Sequence, residues 1–195
     1  MSATDIVPFL RAWVANPLQV AAIAPSGNAL AELMTRDISA TTGPVLELGP
    51  GTGVFTRALV GRGVRESNLI LVESGARFAG MLEVRFPESR VLRMDAARLA
   101  RAHVCRRGEL GAVVSGLPLL SMPPRKVMAI LAGVFPYLRS DGAMYQFTYG
   151  PRCPVSRRML DRLGLRAQRM GTALMNMPPA TVYRITRRGP QPMHR

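Results

Sequence analysis

Glu47, Gly49, Gly51, Gly53, Glu73 and Asp95 are the residues whose types and spacing suit them to chemistry. The first four lie in Val45-Leu46-Glu47-Leu48-Gly49-Pro50-Gly51-Thr52-Gly53-Val54-Phe55, an apolar run broken by one acid and closed by three alternate glycines. Alternate glycines let a backbone turn sharply where a ligand comes close, and a helix that follows aims its free N–H groups at the turn. Glu47, two residues before the first glycine, would oppose a phosphate but suits a cation. Glu73 closes a second apolar run, Asn68 to Val72, where a carboxylate can accept from ribose hydroxyls. Asp95 closes a third candidate strand, Arg90 to Met94, where it can accept from an adenine amino group.

Such carboxylates converge only if their strands lie side by side with the same direction, so the flanking elements must build a parallel sheet. The pattern predicts helices over Gly27 to about Arg36, with Ser26 as N-cap and Ala29, Leu30, Leu33 and Met34 buried, and then over Val54–Val60, Phe78–Phe86, Arg125–Leu138 and Val155–Leu163. Gly111–Ser115 reads as the fourth strand and runs into Gly116-Leu117-Pro118-Leu119-Leu120. Asp141-Gly142 reads as a turn into the strand Ala143–Thr148, whose Tyr145 and Phe147 share a face with Tyr149 while Met144, Gln146 and Thr148 take the other. Leu165–Leu174 and Ala180–Thr186 read as an antiparallel hairpin joined through Met177-Pro178-Pro179. The expected fold class is α/β, with a seven-stranded, mostly parallel sheet, a C-terminal antiparallel hairpin and N-terminal helices. The 195 residues fit one domain, with residues 1–37 as N-terminal helices that could serve as a lid or membrane-contact segment.

The net charge is +14, from 26 basic residues against 12 acids, and every basic residue but Lys126 is arginine. Residues 1–100 carry 10 basic and 9 acidic residues, and residues 101–195 carry 16 and 3, so the excess sits in the second half. An arginine-favouring codon bias explains the preference for arginine over lysine but not the shortage of acids. The asymmetry points to a polyanionic partner, nucleic acid or an anionic membrane surface. The basic run Arg98–Arg107 reads as a solvated face. Cys105, Cys153, His103 and His194 have neither disulfide-framework nor metal-ligand spacing, so no metal is expected. No apolar run reaches the ~18 residues of a membrane-spanning helix, and no secretory signal is evident at the N-terminus. In the predicted helix Asp5–Ala15, Ile6, Phe9, Leu10 and Trp13, with Pro17 beyond it, recur on one face, which suits either the protein core or the headgroup boundary of a membrane.

Acid, Gly-x-Gly-x-Gly, acid and acid at successive strand ends resembles the class I S-adenosylmethionine-dependent methyltransferases. That resemblance implies S-adenosylmethionine held by Glu47, Gly49, Pro50, Gly51, Thr52, Gly53, Glu73, Ser74, Asp95, Ala96, Ser115, Gly116 and Leu117. Further segments narrow it: Phe9-Leu10-x-x-Trp13-x-x-Asn16-Pro17, Ile23-Ala24-Pro25-Ser26, Ser115-Gly116-Leu117-Pro118-Leu119-Leu120 and Gln146-Phe147-Thr148-Tyr149-Gly150-Pro151. Together they resemble the bacterial phospholipid N-methyltransferases that convert phosphatidylethanolamine toward phosphatidylcholine. Gly27 after Ser26, and Met94 before Asp95, depart from that family's pattern.

The resemblance implies an enzyme at the cytoplasmic face of the inner membrane, bound peripherally, with phospholipid and an anionic surface as partners and no obligate protein partner. It implies substrate contacts at Trp13, Pro118, Leu119, Tyr145, Tyr149, Arg152 and Arg184, with Tyr149 as the candidate catalytic group, and membrane contact through Ile6, Phe9, Leu10 and Trp13. Ornithine-lipid methylation shares the geometry and stays open. The related rRNA adenine dimethyltransferases place Asn-Leu-Pro-Tyr/Phe after the fourth strand, whereas this chain has Gly116, Leu117, Pro118 and Leu119. With neither amide nor ring for a flipped base, nucleic acid becomes the weaker partner. A non-catalytic membrane-surface or RNA-binding module that retains the fold is the remaining reading, and the intact acids and glycines speak against it.

Overall fold

Continuous apolar runs become strands here because both faces of the sheet are covered. In the computed structural model, which describes residues 26–150, 152–175 and 178–189, β1 (Val45–Leu48), β2 (Leu69–Glu73) and β4 (Leu110–Ser115) are buried along their whole length. They join β3 (Arg90–Arg93), β5 (Leu138–Tyr149), β6 (Leu165–Ala173) and β7 (Ala180–Arg187) in one seven-stranded sheet of order β3-β2-β1-β4-β5-β7-β6. The first five strands are parallel, and β7 runs antiparallel to both β5 and β6. The direction of winding reverses between β1 and β4, which opens a crevice at their C-terminal ends, the usual ligand position in such sheets.

Strand alternation sorts the core into two layers. On one face α1 (Ser26–Thr35), α2 (Val54–Gly61) and α3 (Ala76–Arg85) bury Leu30, Met34, Leu59 and Leu82 against Val45, Leu71, Val114, Tyr145 and Phe147. On the other, α4 (Pro124–Val134), α5 (Arg157–Arg162) and the 3₁₀ segment Ala96–Arg101 pack Val127, Ile130, Leu131, Leu160 and Leu99 against Leu46, Leu48, Val113 and Met144.

Two expectations need correction. The helix predicted over Arg125–Leu138 stops at Val134, and Phe135–Tyr137 continue as a 3₁₀ turn, because Pro136 has no N–H and its ring crowds the preceding turn. Asp141-Gly142 does not turn into β5 but lies inside it. Leu110 pairs with Leu138 and Ala112 with Ala143, so the intervening residues of β5 form a bulge. Smaller shifts of one or two residues affect other ends. The segments of residues 1–25, with Ile6, Phe9, Leu10, Trp13 and Pro25, lie outside the described residues, as do Pro151 and residues 176–177 of the hairpin connection. Among the described residues no helix is long and apolar enough to cross a membrane.

Candidate donor and acceptor site

The ends of β1 and β4 approach so closely that side chains are excluded between them. A Cβ on Gly49 would stand 2.7 Å from Leu117 Cδ2, and one on Gly116 would stand 2.6 Å from the Gly49 carbonyl oxygen. Gly51 is glycine for another reason: its φ is +54°, while nothing lies within 4 Å of its Cβ position, so the turn keeps open space beside it. Pro50 and Gly53 are buried within this turn, and the Thr52 carbonyl accepts from the Arg57 and Arg85 guanidinium groups at 3.3 and 2.8 Å.

Glu73 ties this turn to the next. Its Oε2 accepts from the Gly51 N–H at 3.2 Å and its Oε1 from the Gly75 N–H at 2.8 Å, so the carboxylate is oriented with lone pairs to spare. Asp95 is held in the same manner, by the Ala97 N–H at 3.0 Å on Oδ1 and by Lys126 Nζ at 2.8 Å on Oδ2. The Lys126 hydrogen bond, seconded by the Ala97 amide, holds the Asp95 carboxyl below its ordinary value. Glu73, Ser74, Asp95 and Ala96 line a cavity of about 70 Å³ whose apolar walls are Val72, Met94, Leu117, Met122 and Ile130. Ser74 is exposed at its mouth, and Ala96 is buried.

Glu47 lies beneath the glycine turn on the α2 face. It is completely buried, and Thr56 Oγ1 donates to its Oε2 at 2.7 Å, while Oε1 has no partner among the described residues. Burial pushes the carboxyl up to about 8; the Thr56 hydrogen bond opposes this and the Glu73 charge adds to it. A buried carboxylate oxygen without a donor is costly unless something arrives to satisfy it.

Across the crevice, β5 supplies the other wall. Tyr149 is buried with its ring edge-on to Phe147 at 5.3 Å between centroids, and Phe147 in turn meets Phe55 of α2 at 5.9 Å. Tyr145 lies deeper: its hydroxyl reaches Asp37 at 3.5 Å, after the end of α1, and it pairs with Arg184 of β7. Burial raises its phenol, while a hydrogen bond with Arg184 acts the other way. Thus the glycine turn, Glu73, Ser74, Asp95, Ala96 and Leu117 come together, and Ser115 and Gly116 are buried beside them. Pro118, Leu119 and Tyr149 gather at a second, smaller cavity of about 10 Å³ with Leu120, Phe147, Thr148 and Pro154. Arg152 is exposed just beyond β5, Arg184 is half-buried, and neither is among the residues lining the two cavities.

Sequence reasoning overlooked Lys126, Thr56, Gln146 and Thr148. Lys126 carried one signal, as the only lysine in the chain. Period-two alternation puts Gln146 and Thr148 opposite the tyrosines but does not show which face meets the crevice.

The topology and the strand-end acids decide the fold. This is the class I methyltransferase fold. No protein-family profile matches the chain. It is similar to the solved structure of a TehB-like SAM-dependent methyltransferase from Corynebacterium glutamicum, with a TM-score of 0.64 and 15% identity over 96% of this chain and 100% of that one. It is also similar to 1,6-didemethyltoxoflavin-N1-methyltransferase from Burkholderia thailandensis, solved with S-adenosylhomocysteine, with a TM-score of 0.62 and 14% identity over 92% and 86% of the two chains. Among curated proteins, an ornithine lipid N-methyltransferase from Singulisphaera acidiphila is 29% identical over 153 residues, which cover 75% of this chain and 79% of that protein.

The residues of this class I fold suit S-adenosylmethionine. The orphaned Glu47 oxygen suits a cationic amino-acid end, the oriented Glu73 carboxylate a ribose diol, and the Asp95 cavity with its thioether and aliphatic walls an adenine.

Proposed function

We propose that the protein is an S-adenosylmethionine-dependent N-methyltransferase acting on the primary amine of a membrane lipid. The observation that carries this reading is the set of Glu47, Glu73 and Asp95 at three adjacent strand ends, beside a second cavity whose walls are almost wholly apolar. Ornithine lipid is favoured by the curated relative, and phosphatidylethanolamine by the resemblance of the 115–120 and 146–151 segments. Both offer a primary amine on a lipid.

S-adenosylmethionine, when bound, supplies an electrophilic methyl group on a sulfonium. Glu47 would hold its amino-acid end, Glu73 its ribose and Asp95 its adenine, while the Ser115–Leu117 backbone would line the methyl pocket. The protein then acts by orienting the lipid amine and excluding water. Tyr149 is assigned to orient the amine or take its proton through water. Tyr145, Tyr149 or Trp13 would hold the growing ammonium by cation–π contact, and Arg152 or Arg184 the anionic headgroup. Ten arginines against the single acid Asp161 after residue 141 suit an anionic surface, which supports a peripheral enzyme at the cytoplasmic face of the inner membrane. An adenine base of RNA fits less well, since the close packing at Gly116 leaves no space for an amide side chain there.

Purified protein incubated with labelled S-adenosylmethionine and vesicles of phosphatidylethanolamine or of ornithine lipid, with RNA in parallel, tests the reading. Label in either amino lipid supports it and selects the substrate. Label in RNA alone, or donor bound but never consumed, overturns it.

A further inference from the structure

Three buried side-chain atoms have no hydrogen-bond partner among the described residues: Glu47 Oε1, already given a role, Gln146 Oε1 and Thr148 Oγ1. The last two belong together. They are two residues apart on β5, so their side chains leave the same face of the strand, opposite the tyrosines. Ser115, the last residue of β4, pairs with Gln146, so Thr148 extends past the end of its neighbour strand. Gln146 is fully buried and Thr148 is 4% exposed.

The orientation of the Gln146 amide follows from its surroundings. Nε2 donates to the Leu117 carbonyl at 2.9 Å and to the Phe147 carbonyl at 2.8 Å, so the nitrogen must face those two acceptors and Oε1 must point elsewhere. Gln146 therefore holds the 116–118 turn in place and keeps one acceptor unused. Thr148 lines the cavity of about 10 Å³ bounded by Pro118, Leu119, Leu120 and Pro154, space comparable to one water-sized group. Apart from the tyrosine, its hydroxyl is the polar side-chain group in that lining.

We infer that Thr148 and Gln146 form the subsite for the acceptor amine, with Thr148 Oγ1 and Gln146 Oε1 accepting its N–H bonds while its lone pair faces the Leu117 turn. The inference rests on the reading of the protein as a lipid N-methyltransferase. A neutral primary amine has two N–H bonds and one lone pair. Two neutral acceptors fix the N–H bonds and so aim the lone pair. The lone pair forms the new N–C bond as the S–C bond breaks and its electron pair goes to sulfur, after which the nitrogen releases one proton to solvent. A monomethylated amine still offers one N–H bond. A dimethylated amine offers none, so the subsite aids the first transfer most and the third not at all.

Thr148→Val keeps the shape and removes the acceptor. With labelled donor and vesicles containing the unmethylated or the N,N-dimethylated form of whichever lipid the wild type methylates, the variant is expected to lose about three- to ten-fold in rate on the primary amine, the effect of one neutral hydrogen bond. It should match the wild type on the dimethyl lipid, and Thr148→Ser should restore the primary-amine rate. Calorimetry with a short-chain form of the same lipid should show weaker binding of the primary amine only, with donor affinity unchanged. Equal losses on both lipids, or no loss on either, overturn the inference while leaving the methyltransferase reading intact. Failure of the wild type to methylate any lipid removes the reading on which it rests.

Discussion

The two halves of the crevice treat charge in opposite ways. On the β1-β2-β3 side the acceptors are carboxylates, and Glu73 and Asp95 are each held by backbone amides at 2.8–3.2 Å. On the β4-β5 side they are a neutral amide and a hydroxyl, and the one acid after residue 141, Asp161, is ion-paired with Arg188. On the proposed lipid N-methyltransferase activity, the difference follows from what each half would hold. A donor with a permanent cation gains from carboxylates. An amine nucleophile must lose a proton first, and a carboxylate beside it would hold that proton in place.

Removing a donor-side carboxylate should give the largest effect. Glu73→Ala removes two charge-assisted acceptors and is expected to weaken donor binding roughly 100-fold or more, measured by calorimetric titration. Tyr149→Phe on the other side should lower turnover several-fold with donor affinity nearly unchanged. Equal loss of donor affinity in the two variants would dissolve the division between the halves.

Glu47 sharpens the comparison through pH. Its folded-state carboxyl, pushed up to about 8 against 4.5 unfolded, binds its proton more tightly in the folded protein. The contribution to stability is therefore complete below about 4.5 and is lost as pH rises toward 8. Glu47→Gln removes that slope. Relative to wild type, its melting temperature should rise between pH 5 and pH 8 by on the order of 5 °C. A cationic ligand favours the ionised carboxylate, so donor binding near neutral pH should release a proton, seen as a binding enthalpy that varies with the buffer's ionisation enthalpy. The variant should lose that dependence; a buffer-independent wild type would remove Glu47 from contact with the donor's charge.

Much of the donor half was legible in the sequence, because a strand buried on both faces reads as an unbroken apolar run and its terminal acid then has a fixed place. Val45–Leu48 followed by Gly49 is such a case and Leu69–Val72 closing on Glu73 is another, whereas Asp95 follows β3, a half-exposed edge strand. The acceptor half was harder to read. Aromatic residues drew attention to the Tyr145–Tyr149 face of β5, yet those rings pack toward α1 and α2, and the unsatisfied acceptors are on the other face. Nothing local distinguishes Gln146 from a core amide until Leu117, 29 residues earlier, supplies its partner. The bulge in β5 was hidden for a similar reason: Asp141-Gly142 is an ordinary turn signal, and only pairing with β4 makes it part of a strand.

The smallest expected effect concerns Lys126, whose contact with Asp95 spans 31 residues and gave no local sign in the sequence. The pair is partly open to solvent, with the lysine side chain 37% and the aspartate 41% exposed, so screening leaves it worth up to ~1 kcal/mol. Lys126→Ala also leaves the Ala97 amide in place to orient the carboxylate. Donor affinity at neutral pH should therefore fall no more than about five-fold, with the gap between wild type and variant narrowing as salt is raised. Because Lys126 is the largest cause of the lowered Asp95 carboxyl, its loss moves that carboxyl back up. The contribution of ionised Asp95, present at higher pH and lost as pH falls through its folded value, should then fade at a higher pH in the variant. Donor titrations at neutral and at mildly acidic pH test this. A loss as large as that of Glu73→Ala would mean that Lys126 touches the donor itself, and the donor half would then hold its ligand with a cation as well as with acids.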